Sequence, residues 1–133
     1  MTDAATPIPH GLPVPDTEDL FRCLTHAKWW NDTANRVSSA AFSWPVFSVD
    51  IVSISGSEEA TLKPFKPGTG LVIFNCGRSR EKGCDPRHEL DEKQPENKAH
   101  AHAYMPVQSG QRKRAVQHLI DICTVRRKPN LTT

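Results

Sequence analysis

Apolar and polar positions alternate most cleanly over residues 47–54. Phe47, Val49 and Ile51 fall on one side, and Ser48, Asp50 and Val52 on the other, the period of a strand with one covered face. Leu71, Val72, Ile73 and Phe74 form an unbroken apolar run, which predicts a strand covered on both faces. Alanines and histidines alternate over 99–103. As a strand, this segment would put His100, His102 and Tyr104 on one face and Ala99, Ala101 and Ala103 on the other. Helical spacing is clearest near the C-terminus, where Val116, Leu119, Ile120 and Cys123 recur at i, i+3, i+4 and i+7. A helix over 112–125 is predicted. Arg126, Arg127 and Lys128 would suit its C-terminal dipole, and Pro129 would end it. Leu20, Phe21 and Leu24 fit either a short helix capped by Asp16 or Thr17 or a strand, because the segment is too short for its period to decide.

Between these segments the breakers set the boundaries. Pro7, Pro9, Pro13 and Pro15 deny a helix to residues 1–15, which read as a flexible, proline-rich tail outside the domain. Ser57 is placed to cap a helical turn over 58–62, and Gly83 to stop a short helix over 77–82. Residues 63–70 read as loop, and 85–98 as polar and irregular. Trp29 and Trp30 lie in a loop, with one of them expected against the core. The result is one α+β domain over residues 16–133. Its small mixed or antiparallel sheet contains 47–54, 71–74 and 100–104, covered on one face by the C-terminal helix.

With 133 residues, 37% of them hydrophobic, the chain can fill one modest core and not two. No run approaches eighteen apolar residues, so no membrane span is expected. The N-terminus has neither a basic start nor an apolar stretch, and a cytoplasmic location with reduced thiols follows as the expectation. A net charge of +2 excludes a polycation, but the charge is unevenly spread. Residues 81–96 hold six acids (Glu81, Asp85, Glu89, Asp91, Glu92, Glu96) against three bases, and residues 112–128 hold six bases against Asp121 alone. Arg112, Lys113, Arg114, Arg126, Arg127 and Lys128 are therefore the candidates for meeting an anion, nucleic acid included.

These residues bear on several chemistries. Cys76, Cys84, His88, His100 and His102 are the candidate metal ligands, with zinc as the metal. Their seven-residue gap between cysteines departs from zinc-knuckle spacing, and cysteines serving as core are the simpler reading. No nucleophile elbow, Walker loop or dinucleotide fingerprint is present, and no cofactor is expected. A polar cluster is conceivable from Arg22, Arg36, Ser38, Ser48 and Asp50, with His100 added. These are also the residue types used by enzymes that cleave NAD at the ribose, but without the glutamate motif of ADP-ribosyltransferases.

Three segments carry a resemblance: residues 35–42 (NRVSSAAF), 47–50 (FSVD) and 95–101 (PENKAHA). They resemble a class of small bacterial proteins of unassigned activity with Arg-x-Ser-Ser-Ala-Phe, Ser-Val-Asp and Pro-x-Asn-x-Ala-His segments. The resemblance spans roughly residues 20–125. It implies that Arg36, Phe42, Ser48, Asp50, Asn97 and His100 cluster in space. The leading expectation is a small accessory protein that recognises a protein or anionic partner. The alternatives are an enzyme acting on a nucleotide or nucleic acid, ADP-ribosyltransferase-like or metal-dependent, and a nucleic-acid-binding module.

Overall fold

A computed structural model describes residues 8–131. Thirteen segments build the fold among them: β1 (Leu12–Pro13), β2 (Asp19–Leu24), β3 (Trp30–Asn31), β4 (Arg36–Val37), β5 (Val46–Ile51), α1 (Val52–Ser55), α2 (Glu58–Leu62), β6 (Gly70–Asn75), α3 (Cys76–Arg80), β7 (Asp85–His88), β8 (His100–Tyr104), α4 (Ser109–Ile122) and β9 (Thr124–Arg127). Seven strands form one sheet in the order β1-β7-β8-β5-β2-β6-β9, and β3 pairs with β4 separately. Among the described residues the strand pairings are antiparallel throughout. The class is α+β, as the alternation predicted.

Side-chain parity divides the sheet into two unlike faces. On one face Leu20, Leu24, Phe47, Val49, Ile51, Val72, Phe74, Ala101 and Ala103 form the core with Phe42 and with Ala115 and Leu119 of α4. Phe42, Phe47 and Phe74 meet edge-on or tilted at centroid distances of 5.5–6.5 Å, the favoured aromatic geometry. On the other face β5 and β8 pair Asp50 with His100 and Ser48 with His102, while β2 and β5 pair Phe21 with Asp50. This face carries the polar side chains.

Several expectations change in detail. The strand expected over 47–54 ends at Ile51, and Val52–Ser55 turns helical before Gly56 at φ 85°. The segment at Leu20–Leu24 is a central strand, not a helix. The helix expected over 112–125 starts earlier and stops at Ile122, so Arg126 and Arg127 lie on β9 rather than at a helix end. β9 runs back along β6, and its side chains are exposed. The anticipated cap is present, with Ser57 Oγ accepting from Ala60 N at 3.1 Å, whereas α3 ends at Arg80, before the expected stop, and Gly83 at φ 100° closes the turn that follows.

The stretch read as a free tail is anchored from His10 onward; its residues 1–7 lie outside the described part. Leu12 and Pro13 pair with His88 and Arg87, and Val14 is buried. Gly11 passes so close to β7 that an added Cβ would lie 2.3 Å from the His88 carbonyl oxygen. Proline forbids a helix here but not an edge strand, which is why the composition pointed outward while the backbone runs along the sheet.

Candidate functional site

The polar face of β2, β5 and β8 forms the floor of a cleft of about 240 Å³. Phe21, Ser48, Asp50 and His100 come from these strands. Thr61 and Phe65 come from α2 and the chain after it, and Asp91, Gln94 and Asn97 from the connection between β7 and β8. The last three residues sit in consecutive tight turns, in which Gln94 N donates to Asp91 O and Asn97 N to Gln94 O, each at 3.0 Å.

Asp50 is the hub. Asn97 Nδ2 donates to its Oδ1 at 3.1 Å, and Thr61 Oγ1 donates to its Oδ2. Ser55 Oγ lies 3.0 Å from the same threonine hydroxyl. Asn97 also accepts Ala99 N on Oδ1 at 3.1 Å, so its amide is oriented from both ends. No cationic side chain forms a salt bridge with Asp50 among the described residues. A half-buried carboxylate is held by neutral donors only.

His100 is fixed as firmly. Its Nδ1 lies 2.7 Å from the Glu89 carbonyl oxygen. A carbonyl only accepts, so Nδ1 carries the proton and Nε2 is the acceptor of the neutral ring. Cys23 also lines the cleft, with its thiol pushed up to about 12 by burial and then by Asp50. It stays a thiol at neutral pH, which removes it as a nucleophile.

Of the eight residues expected to cluster, Arg22, Ser48, Asp50, Asn97 and His100 border this cleft, whereas Arg36, Ser38 and the core residue Phe42 do not. Arg36 lies on the small β3–β4 ribbon, with Nη2 3.6 Å from Asp121 of α4. Ser38 Oγ donates to Lys28 O at 2.6 Å. The sheet order separates Arg36 and Ser38 from the cleft: their ribbon is not a strand of the main sheet. Arg22 is a more instructive case. By register it belongs to the core face with Leu20 and Leu24. The β2–β5 ladder pairs Leu20 with Ile51 and Phe21 with Asp50 and then opens. There the guanidinium donates from Nε to Ala41 O at 2.9 Å and from Nη1 to Ser48 O at 3.0 Å, and it stacks 4.3 Å from the Trp29 ring centroid. Burial lowers its pKa to about 10, so it remains charged. It wedges the fold more than it faces the cleft.

A second polar hub, missed in the sequence, lies beside the first. The Glu89 carboxylate is fully buried, yet it accepts four hydrogen bonds. His10 N and Gly11 N donate to Oε2, each at 2.8 Å. His102 Nδ1 lies 3.0 Å from Oε1, and the Tyr104 hydroxyl donates to Oε1 at 2.5 Å. Burial alone would raise this pKa, but the four donors outweigh it and hold the group at about 2. The same contact and burial drive the Tyr104 hydroxyl upward. Glu89 therefore clamps the N-terminal strand to β8, and its backbone orients His100. The only hint in the sequence was an acid flanked by Leu90 and the His88 end of β7.

The candidate metal ligands separate across the sheet. Cys76 and Cys84 are in the core with Ala101 and Ala103, and burial raises their thiols to about 11 and about 12. His100 and His102 are on the opposite face, and His88 Nε2 lies 2.8 Å from Lys98 O. Among the described residues no group of three or more His, Cys, Asp or Glu side chains is arranged to hold a metal ion.

The six anion candidates also divide. Arg126 Nε is 2.7 Å from Glu58 Oε2, and Arg127 reaches both Glu58 and Glu59 at 3.4 and 3.6 Å. Lys128 Nζ is 3.9 Å from Asp32. Arg112 stacks 4.6 Å from the Trp44 ring centroid, and none of Arg112, Lys113 and Arg114 forms a salt bridge among the described residues. No described helix is long and apolar enough to cross a membrane. Searches of family models, curated proteins and solved structures return no match to this chain.

Proposed function

We propose that this protein is a small binding module and that the Asp50 cleft recognises a positively charged side chain of a protein partner. The observation that carries this reading is the Asp50 carboxylate, held by the Thr61 hydroxyl and the Asn97 amide without a cation. A guanidinium or ammonium from a partner would supply the missing opposite charge where water is already partly excluded, and charge-assisted hydrogen bonds are the strong ones. Asp91 adds a second acid to the wall, and Phe21 and Phe65 offer aromatic surface suited to a cation. The acceptor character of the floor argues against an anion in this place. The Arg112–Arg114 side of the molecule suits a different ligand.

The enzyme reading keeps one supporting observation. His100 is held in a single tautomer next to Asp50, and an oriented imidazole with a free acceptor is how a general base is built. A nucleotide substrate would bring the amino groups of a base to the same acceptors. The displacement of Arg36 and the commitment of two Arg22 donors to carbonyls weigh against NAD cleavage.

Calorimetry with short arginine- and lysine-containing peptides separates the two readings. The binding reading expects uptake that weakens in Asp50→Asn and at raised salt, with no response to a norleucine control. Uptake of nucleotides in place of the peptides would favour the enzyme.

A further inference from the structure

We infer that the groove between α4 and the helical turn at Ser39–Ala41 is a second docking surface, and that its occupant is an acidic protein segment anchored by apolar side chains. The groove has a volume of about 420 Å³, and Ser39, Arg112, Val116, Gln117 and Ile120 line it. Val116 and Ile120 belong to the apolar stripe of α4, but the helix is turned so that Ala115 and Leu119 enter the core fully. Val116 and Ile120 are left half-covered and form the apolar floor.

Charge complementarity identifies the partner. Arg112 and Lys113 stand at the rim, and Arg114 follows them on the same turn. The three follow Ser109–Gln111 near the start of the helix, which has no acid in its first turn and no side-chain cap at Gln108. Their charge adds to the positive end of the dipole, where an acid would normally sit. Arg126, Arg127 and Lys128 show the contrast: each has an acid from its own chain, whereas the α4 bases have none among the described residues. An unneutralised basic rim over an apolar floor fits carboxylates flanking an apolar anchor.

The same contrast sets nucleic acid aside. A phosphate backbone is met by a continuous basic track with stacking rings. Here the second basic triad is already paired, the floor is aliphatic, and the Trp44 ring beside the rim is already stacked by Arg112. Recognition at this groove does not depend on the Asp50 cleft.

The test is fluorescence anisotropy with a labelled peptide alternating leucine and glutamate. Controls are an alternating serine–glutamate peptide of equal charge and a labelled oligothymidylate. The expected result is binding of the leucine–glutamate peptide that falls about tenfold or more in the rim variant Arg112→Glu/Lys113→Glu, and that Asp50→Asn leaves unchanged. Near-equal binding of the serine–glutamate peptide would overturn the apolar anchor. Retained affinity in the charge-reversed variant, or no binding to the wild-type protein, would overturn the surface. Oligothymidylate bound in preference to the peptide and lost on charge reversal would assign it to nucleic acid instead. The circular-dichroism spectrum of the variant confirms that it is folded.

Discussion

Replacing Glu89 with glutamine keeps the shape of the side chain and removes its charge. In the folded protein the carboxyl is held at about 2 against an ordinary 4.5, a difference worth roughly 3 kcal/mol at neutral pH as an upper bound. The folded pKa is the lower one, so the unfolded chain takes up this proton first as the pH falls. The contribution is complete above about pH 4.5 and is lost progressively towards pH 2. Glutamine can still accept the two backbone amides of His10 and Gly11, but its NH2 then faces the Tyr104 hydroxyl and His102 Nδ1. Both partners can rearrange to accept, which keeps the expected cost at pH 7 to about 1–3 kcal/mol. Glu89→Leu leaves all four donors without an acceptor and should cost about 3–5 kcal/mol. Urea unfolding, followed by tryptophan fluorescence at steps between pH 7 and 2.5, reads both effects. The gap between wild type and Glu89→Gln should close as the pH falls through this window. Parallel acid lability of the two proteins would refute the assignment of a buried, ionised Glu89.

Three further outcomes follow from named contacts. Arg22→Leu leaves the Ala41 and Ser48 carbonyls without their donor at the place where β2 and β5 part, and it should lower stability by about 2–4 kcal/mol in urea titrations, with Arg22→Lys recovering only part. Leu119→Ala, at a fully buried α4 position, should cost about 2–5 kcal/mol, measured the same way. Cys23, Cys76, Cys84 and Cys123 are all held between about 11 and about 12 by burial, so a thiol reagent at neutral pH should label them slowly in the native protein and fast in urea. Fast native labelling of Cys84 would contradict its burial.

Legibility followed from how much each segment owes to its own residues. β5, β6 and β8 bury side chains in the pattern their sequence carries, and the Ser57 cap and Gly83 turn are local chemistry. β1, β7 and β9 were hidden for two reasons: the edge strands β1 and β9 are exposed along their length, and β1 and the inner strand β7 each contain a proline. The site was half legible. Asp50 and His100 are cross-strand neighbours on β5 and β8, two strands that the alternation predicted without their pairing, and Asn97 reaches Asp50 through the turn before β8. Arg36 had the right chemistry in the wrong place, since nothing local shows that its ribbon leaves the main sheet. Thr61, Asp91 and Gln94 carry no signal, and Glu89 only its place beside Leu90, until the 89–98 connection and α2 fold over the polar face.

The most direct measurement of the central claim is a two-dimensional nitrogen–proton spectrum of the wild-type protein, titrated with an arginine-containing peptide. A cation held by Asp50 should move the resonances of Asp50, Thr61, Asn97 and the His100 ring together, with one affinity that declines as salt is added. A spectrum in which those resonances stay fixed at saturating peptide, or in which the shifts fall around α4 instead, would contradict it.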